Sequence, residues 1–303
     1  RAGYHVRGTV RSISKEQEVR KSFGDAGIST SDLTFVQVDL TEDKGWKAAT
    51  KGCAYVLHVA SPFAIKNPKS EDEMLKPAVD GTLRVLRAAR SEGVKRVVLT
   101  SSALTMFGSM KAGTFGPDDW TDPDAPKLNT YIKSKTLAEK AAWDFVADSD
   151  DGHKMELVTI NPGGVMGPPL GRNITGQTMT FIDQMLRGKM PMVPRMAFPM
   201  VDVRDVAKLH LQAMIHPDVD GMRLIASSAT PGSFLDAAKI MKDAGYEGPS
   251  TRQAPSFLLR IIALCDREAA GMVGMVDMNI SADISRTREL FNWTPTAFDK
   301  MIL

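Results

Sequence analysis

Short stretches rich in Val, Ile, Thr and aromatic residues recur along this chain, several of them apolar almost without a break. They are Tyr4 to Val10, Thr34 to Val38, Tyr55 to Val59, Arg96 to Thr100 and Glu156 to Ile160. A strand that alternates apolar and polar residues has one wet face, whereas one that is apolar throughout is buried on both. Between these stretches, Lys15 to Ala26, Glu71 to Glu92 and Tyr131 to Ala147 read as helices. In the second of them Met74, Val79, Leu83, Leu86 and Ala89 trace one apolar stripe. Doubly buried strands alternating with helices predict an α/β fold built on a parallel, doubly wound sheet.

With 303 residues the chain can bury a large core and form one or two domains. A net charge of +2, carried by dispersed basic residues, predicts no nucleic-acid partner and no membrane partner. No apolar stretch reaches the ~18 residues of a membrane span. Cys53 and Cys265 lack any metal or redox spacing and read as free thiols in a reducing cytoplasm. His58, His210 and His216 read as structural, and no metal site is expected. Pro, Gly and Met become frequent from Pro162 to Pro199, and helices and loops are expected to dominate after that. The expected division is a dinucleotide-binding domain over residues 1–161 and a smaller, mainly substrate-binding lobe over 162–303. Some segments of the lobe return to the first core, and the lobe covers the carboxyl ends of the strands, where such folds bind ligands.

The chemistry centres on Ser102, Tyr131 and Lys135. A Tyr four residues before a Lys on a helix sets phenol and ammonium one above the other on the same face. A phenol titrates near ~10 in water, and a fixed cation beside it lowers that value. Ser102 ends the strand Val97 to Ser102, where its hydroxyl can hold a carbonyl oxygen; a turn-forming role is the alternative.

Three runs resemble the extended short-chain dehydrogenase/reductases. They are Thr100-Ser101-Ser102, Tyr131-x-x-Ser134-Lys135-Thr136-Leu137-Ala138-Glu139, and Val201-Asp202-Val203-Arg204-Asp205-Val206-Ala207. The closer likeness is to the dihydroflavonol reductase-like branch, which includes cinnamoyl-CoA reductases and microbial aldehyde and ketone reductases. Gly8 to Ser12, His58 to Pro62 and Asn161 to Pro168 match it as well, and the motifs arrive in the family's order along nearly the whole chain. The resemblance implies a Rossmann-type sheet and a carbonyl reductase. In it Tyr131 protonates the substrate oxygen, Ser102 hydrogen-bonds it, and Lys135 binds the nicotinamide ribose and lowers the Tyr131 pKa. It also implies cofactor contacts at Val59, Ala60, Ser61 and Thr100, and at Pro162, Gly163, Gly164 and Val165; a plain strand-to-loop exit is the other reading of the latter run.

In a dinucleotide fold the end of the second strand meets the adenosine ribose, and an acid there selects NAD. This chain has Arg11 at that place, followed by Ser12 and Lys15, so NADP(H) is expected, since a guanidinium can pair with a 2′-phosphate. Solvated charges at a helix start are the other account. Asp39 and Leu40 resemble the pair that contacts adenine, or else Asp39 caps a helix. The Gly-rich pyrophosphate turn does not occur in these residues; by spacing it is expected roughly 20 residues before Arg1, together with a central first strand.

For the substrate, Phe63, Ala103, Leu104, Met106, Val165 and Met166 are candidate pocket walls, and their apolar character predicts a small hydrophobic carbonyl or alcohol. Methionines between Met179 and Met200 read as core filling rather than a plastic pocket. Rival readings are a steroid-type dehydrogenase/isomerase, a sugar-nucleotide epimerase/dehydratase, and a non-catalytic NADP-binding sensor. A monomer or a homodimer is expected.

Overall fold

The computed structural model of the chain describes residues 3–61, 70–110, 112–126, 128–148, 154–171, 176–262, 264 and 273–303. Strand β1 (Val6–Val10) leads through α1 (Glu16–Asp25) to β2 (Leu33–Gln37), then through α2 (Trp46–Thr50) to β3 (Tyr55–His58). The long α3 (Asp72–Ser91) returns to β4 (Arg96–Thr100), which is followed by α4 (Leu104–Phe107) and β5 (Ala112–Phe115). Helix α5 (Thr130–Ala147) feeds β6 (Glu156–Pro162) and β7 (Gly164–Met166), and α6 (Gln177–Leu186) leads to β8 (Ala197–Asp202). Next come α7 (Val203–Ile215), β9 (Arg223–Ala226), β10 (Pro231–Ser233), α8 (Phe234–Asp243) and α9 (Ser256–Ile262). The remaining elements are β11 (Asn279–Ala282), α10 (Ser285–Phe291) and α11 (Phe298–Ile302). Of the expected strands, β4 has the predicted bounds and the others differ by one or two residues at their ends.

The central sheet is parallel, in the order β3-β4-β6-β9. The middle of β4 and most of β6 are apolar because both faces are covered, and successive side chains point to opposite sides. Val97, Leu99 and Leu157 pack with Leu86 and Ala89 of α3 and Ala142 of α5. On the other face Val98, Val158 and Ile160 pack with Leu209 and Ala213 of α7. Each such side chain contributes about 1.5–3 kcal/mol by burial. Strands β1 and β2 form a second, separate parallel ladder. Among the described residues β1 and β3 each keep one edge without a ladder partner, and Val6, Leu57 and Val59 are exposed there.

Beyond Pro162 the chain holds more strand than expected. Strands β7 and β8 pair in parallel, β10 adds to β8 antiparallel, β9 joins the central sheet, and β11 pairs with β5. These strands run to only three to six residues and several contain Gly or Pro. Their partners are remote in sequence, so periodicity carries no trace of them. Met185, Met196 and Met200 lie in the core of this region, packed with Phe181 and Phe234, as core filling requires.

Arg96 opens β4 fully buried. Its Nε donates to Glu156 at 2.6 Å, and its Nη1 donates to the carbonyls of Ala213, Met214 and His216 at 2.9, 3.1 and 2.7 Å. One guanidinium thereby caps the C-terminus of α7, where carbonyls are left without intrahelical donors and the helix dipole favours a cation. Arg96→Met strips those carbonyls and Glu156 of their partner and is expected to destabilise the protein by roughly 3 kcal/mol or more. Urea unfolding checks this; a midpoint unchanged from wild type would show that water replaces the guanidinium without cost.

Candidate active site

The Asn129 side chain accepts the Tyr131 backbone N–H at 2.8 Å, an N-cap that starts α5 at the residue before Tyr131. Ser134 Oγ donates to the Tyr131 carbonyl at 2.7 Å. One turn on, Lys135 Nζ lies 5.9 Å from the centre of the Tyr131 ring, on the same face. Lys135 is buried and Tyr131 half-buried.

Ser102 stands two residues beyond β4, held by an extension of the β4–β6 ladder. Ser101 N–H donates to Ile160 and Ala103 N–H to Pro162, both at 2.8 Å. Ser102 Oγ accepts the Leu104 N–H at 3.2 Å, which leaves its own proton to donate elsewhere. The short α4 that follows packs on the start of α5. A side chain at Gly108 has no room there, since its Cβ would sit 2.4 Å from Ile132 Cγ2.

Burial decides the protonation states. It pushes the Tyr131 phenol up to about 12, so the expected lowering by Lys135 is not met in this geometry. The Lys135 ammonium is pushed down to about 8 by burial, against the opposing pull of Glu139. His58, buried and close to Lys135, falls to about 4 and is neutral at pH 7, first through burial and then through that cation. His210 is also held low by burial; its Nδ1 lies 2.7 Å from the Val206 carbonyl and its Nε2 2.6 Å from Thr100 Oγ1. The imidazole thus donates to the carbonyl and accepts from Thr100, as a structural histidine would.

A narrow cleft, with room for only about 10 Å³, at the carboxyl ends of β3 and β4 is lined by Ala60, Ser61, Thr82, Leu99, Thr100, Ser101, Lys135, Ala138 and Glu139. Ala60, Ser61, Thr100 and Lys135, all predicted contacts, come together in it, and Val59 is exposed next to them. Pro62 and Phe63 fall outside the described residues. Pro162 is buried, and Gly163 donates its N–H to Ala226 at 3.0 Å. A Cβ on Gly163 would stand 2.3 Å from the Pro199 carbonyl oxygen, so only glycine lets the backbone pass. Gly164 and Val165 lie half-buried in β7. Of the candidate pocket walls, Ala103, Met106 and Met166 are sealed in the core, while Leu104 and Val165 are half-buried.

Arg11, Ser12 and Lys15 are exposed beyond the end of β1. Lys15 pairs with Glu18 at 2.7 Å, and Ser12 Oγ meets Ser14 Oγ at 2.8 Å. Asp39 accepts from the N–H and hydroxyl of Thr41 at 2.8 and 2.7 Å, which holds its carboxyl below the usual range, helped by Arg11 nearby. Leu40 packs on Gly81 of α3 and its carbonyl accepts from Arg84 at 2.7 Å. A larger hollow of about 390 Å³, bounded by residues such as Arg195, Ser233, Gln253, Asp277 and Asn279, contains none of the predicted site residues.

The residues present fit NADP(H). An exposed guanidinium lies beyond the end of β1, and a buried ammonium lines a cleft at the ends of β3 and β4. Sequence reasoning assigned no role to Glu139, Asn161, Thr105 or Arg223, which form a buried polar cluster behind Ser101. The available signal was an acid four residues past Lys135, on the buried face of α5.

The model of the NAD dependent epimerase/dehydratase family matches residues 1–224. The chain is 32% identical over 247 residues to the NADPH-dependent methylglyoxal reductase GRE2 of Saccharomyces cerevisiae, covering 75% of this chain and 71% of that protein. It is 36% identical over 252 residues to the cinnamoyl-CoA reductase CAD2 of Medicago truncatula, covering 80% and 73%. The crystal structure of yeast methylglyoxal/isovaleraldehyde reductase Gre2 complexed with NADPH matches with a TM-score of 0.79 at 25% identity, over 99% of this chain and 89% of that one.

Burial of His58 predicts a specific acid sensitivity. Above about pH 6.5 the imidazole is neutral in both folded and unfolded chains; between there and about 4 only the unfolded chain takes up the proton. Stability is therefore lost as pH falls, by on the order of 3 kcal/mol from this group. Urea unfolding of wild type and His58→Gln across that range is expected to show the steeper loss in wild type. Parallel curves would mean that His58 is hydrated when folded.

Proposed function

The chain belongs to the NAD dependent epimerase/dehydratase family, and from that premise and the site geometry we propose the roles of its residues in reducing small hydrophobic aldehydes or ketones to alcohols. It is an NADP(H)-dependent oxidoreductase acting on C=O and CH–OH groups, as its reductase relatives indicate. The observation that carries the assignment of roles is the capped first turn of α5, which sets Tyr131 and Lys135 on one face, with Lys135 lining the cleft at the end of β4.

NADPH, when bound, supplies the hydride. Ser102 Oγ–H donates to the substrate carbonyl oxygen and polarises it; loss of one such donor typically costs on the order of a hundredfold or more in rate. Tyr131 delivers the proton that turns this oxygen into a hydroxyl. A phenol held near 12 is fully protonated at neutral pH, which is the form reduction needs at the start. Lys135, still mostly charged at pH 7, stabilises the phenolate left behind. Arg11 and Ser12 would hold the 2′-phosphate, and Lys135 with Pro162 to Val165 the nicotinamide end. Half-buried Leu104 and Val165 support an apolar substrate. Among the described residues no helix is long and apolar enough to cross a membrane; a cytoplasmic setting is proposed, supported by the free thiol of Cys53.

Two measurements test the assignment. Tyr131→Phe is expected to lower kcat by roughly 10²–10⁴ while NADPH still binds, read from nucleotide fluorescence and from loss of NADPH absorbance with a panel of aromatic and aliphatic carbonyls. Near-normal turnover in that variant would sink the proton-donor role. Arg11→Gln removes a charge-assisted hydrogen bond and is expected to cut the preference for NADPH over NADH roughly 10- to 100-fold. An unchanged preference would move the 2′-phosphate to other residues.

A further inference from the structure

One carboxylate lies where α5, α4, β9 and the carboxyl ends of β4 and β6 meet. Glu139, one turn past Lys135 on α5, is completely buried. Its Oε1 accepts from Arg223 Nε of β9 at 2.6 Å. Its Oε2 accepts from the hydroxyl of Ser101, from Asn161 Nδ2 at 2.9 Å, and meets Thr105 Oγ1 at 2.7 Å. Ser101 precedes Ser102, Asn161 precedes Pro162 and Gly163, and Thr105 follows Ser102 in α4. Asn161 Nδ2 and Thr105 Oγ1 also reach the Ser102 carbonyl, at 3.3 and 2.8 Å.

The partner cation is equally fixed. Arg223 Nη1 donates to the carbonyls of Pro117 and Asp119 at 2.9 and 2.6 Å, and Nη2 to Thr105 Oγ1 at 3.0 Å. The Trp120 ring stacks over the guanidinium, its centre 3.6 Å away. The pair is held on every side and almost closed to water. Stability alone does not account for it, because taking two charges out of water costs several kcal/mol and apolar replacements of such pairs are often neutral or stabilising. What the arrangement does supply is a unique geometry: ladder hydrogen bonds fix where β4 ends, and Glu139 fixes how the residues beyond that end stand relative to α5.

We propose that Glu139 is a positioning residue of the reaction: its carboxylate locks the Ser101–Ser102 turn and the Asn161–Gly163 exit to the turn of α5 that carries Tyr131 and Lys135. This rests on the reductase reading above. The same charge faces Lys135 and helps keep it protonated. The other groups around Lys135 are Tyr131 on its own helix, neutral His58 from β3, Thr82 from α3, and Thr100 and Ser101 at the end of β4. Arg223 of β9 lies behind Glu139.

Glu139→Gln keeps the shape and removes the charge. In the full chain it is expected to lower kcat at least tenfold, with the KM for NADPH moving less, and to shift the alkaline side of the pH–rate profile to lower pH. The double variant Glu139→Gln with Arg223→Gln removes the stranded cation, so a fold lost in the single variant is regained while the rate defect stays. Independently of turnover, lysines labelled with ¹³C at Cε report their titration by NMR, with the Lys135 signal identified by its loss in Lys135→Met. That signal is expected to titrate at lower pH once Glu139 is neutral. If kcat, the pH profile and the Lys135 titration all match wild type in a folded variant, Glu139 is structural only. Should the wild type reduce no carbonyl at all, the reductase reading falls, and the NMR titration still decides the coupling.

Discussion

A sheet buried on both faces admits almost no polar side chain along its length, and that restriction distributes the chemistry of this molecule. Val97, Val98 and Leu99 of β4 and Leu157, Val158 and Ile160 of β6 are closed off by α3 and α5 on one side and α7 on the other. Polar groups are therefore displaced to strand ends. Arg96 and Glu156 meet at the amino ends, where they serve the fold. Ser101, Ser102, Asn161 and Gly163 follow at the carboxyl ends, where backbone leaves the ladder and side chains gain room to act. The exceptions inside the layer, Thr159 and Arg223, are tolerated because their polar groups are satisfied, those of Arg223 by Glu139, Thr105 and the carbonyls of Pro117 and Asp119. Thr159 Oγ1, for instance, donates to Asn161 Oδ1 at 2.8 Å.

The same restriction explains how much could be read from sequence. Continuous apolar runs and helical stripes are local signals, so β4, β6, α3 and α5 were legible almost to the residue. Ser102, Tyr131 and Lys135 were legible because a strand end and an i, i+4 helix pair are local patterns too. The strands beyond Pro162 were not: β9 is four residues long and owes its existence to β6, and β11 pairs with β5 across most of the chain. Glu139 could be seen in its motif, yet its meaning depends on Arg223, brought beside it only when β9 docks on β6. A buried acid is interpretable only once its donors are known.

Local signals also mislead where burial competes with charge. A Lys one turn from a Tyr suggests a phenol with a lowered pKa. In the folded protein the phenol is desolvated, and Lys135 is desolvated with it, so burial acts on both in the direction of their neutral forms. The cation at 5.9 Å from the ring centre is too weak an influence to reverse this. His58 shows the same ordering, with burial first and the neighbouring cation second.

For a reductase this outcome is workable, though it imposes two demands that pull apart. The phenol must hold its proton until hydride arrives, which burial ensures. The ammonium must keep its charge to stabilise the phenolate that follows, which the same burial opposes. A single low-dielectric pocket cannot meet both demands without a further fixed charge. Glu139 is that charge: it lies one turn beyond Lys135, raises the ammonium's pKa, and is far enough along the helix to leave the phenol's unaltered by any resolved effect of its own. It is paired with Arg223, and the pair depends on β9 completing the sheet. The charge on Lys135, beside the proton donor at the start of α5, is thus supported through a strand that begins 92 residues after Tyr131, which ties an edge of the sheet to the chemistry at its centre.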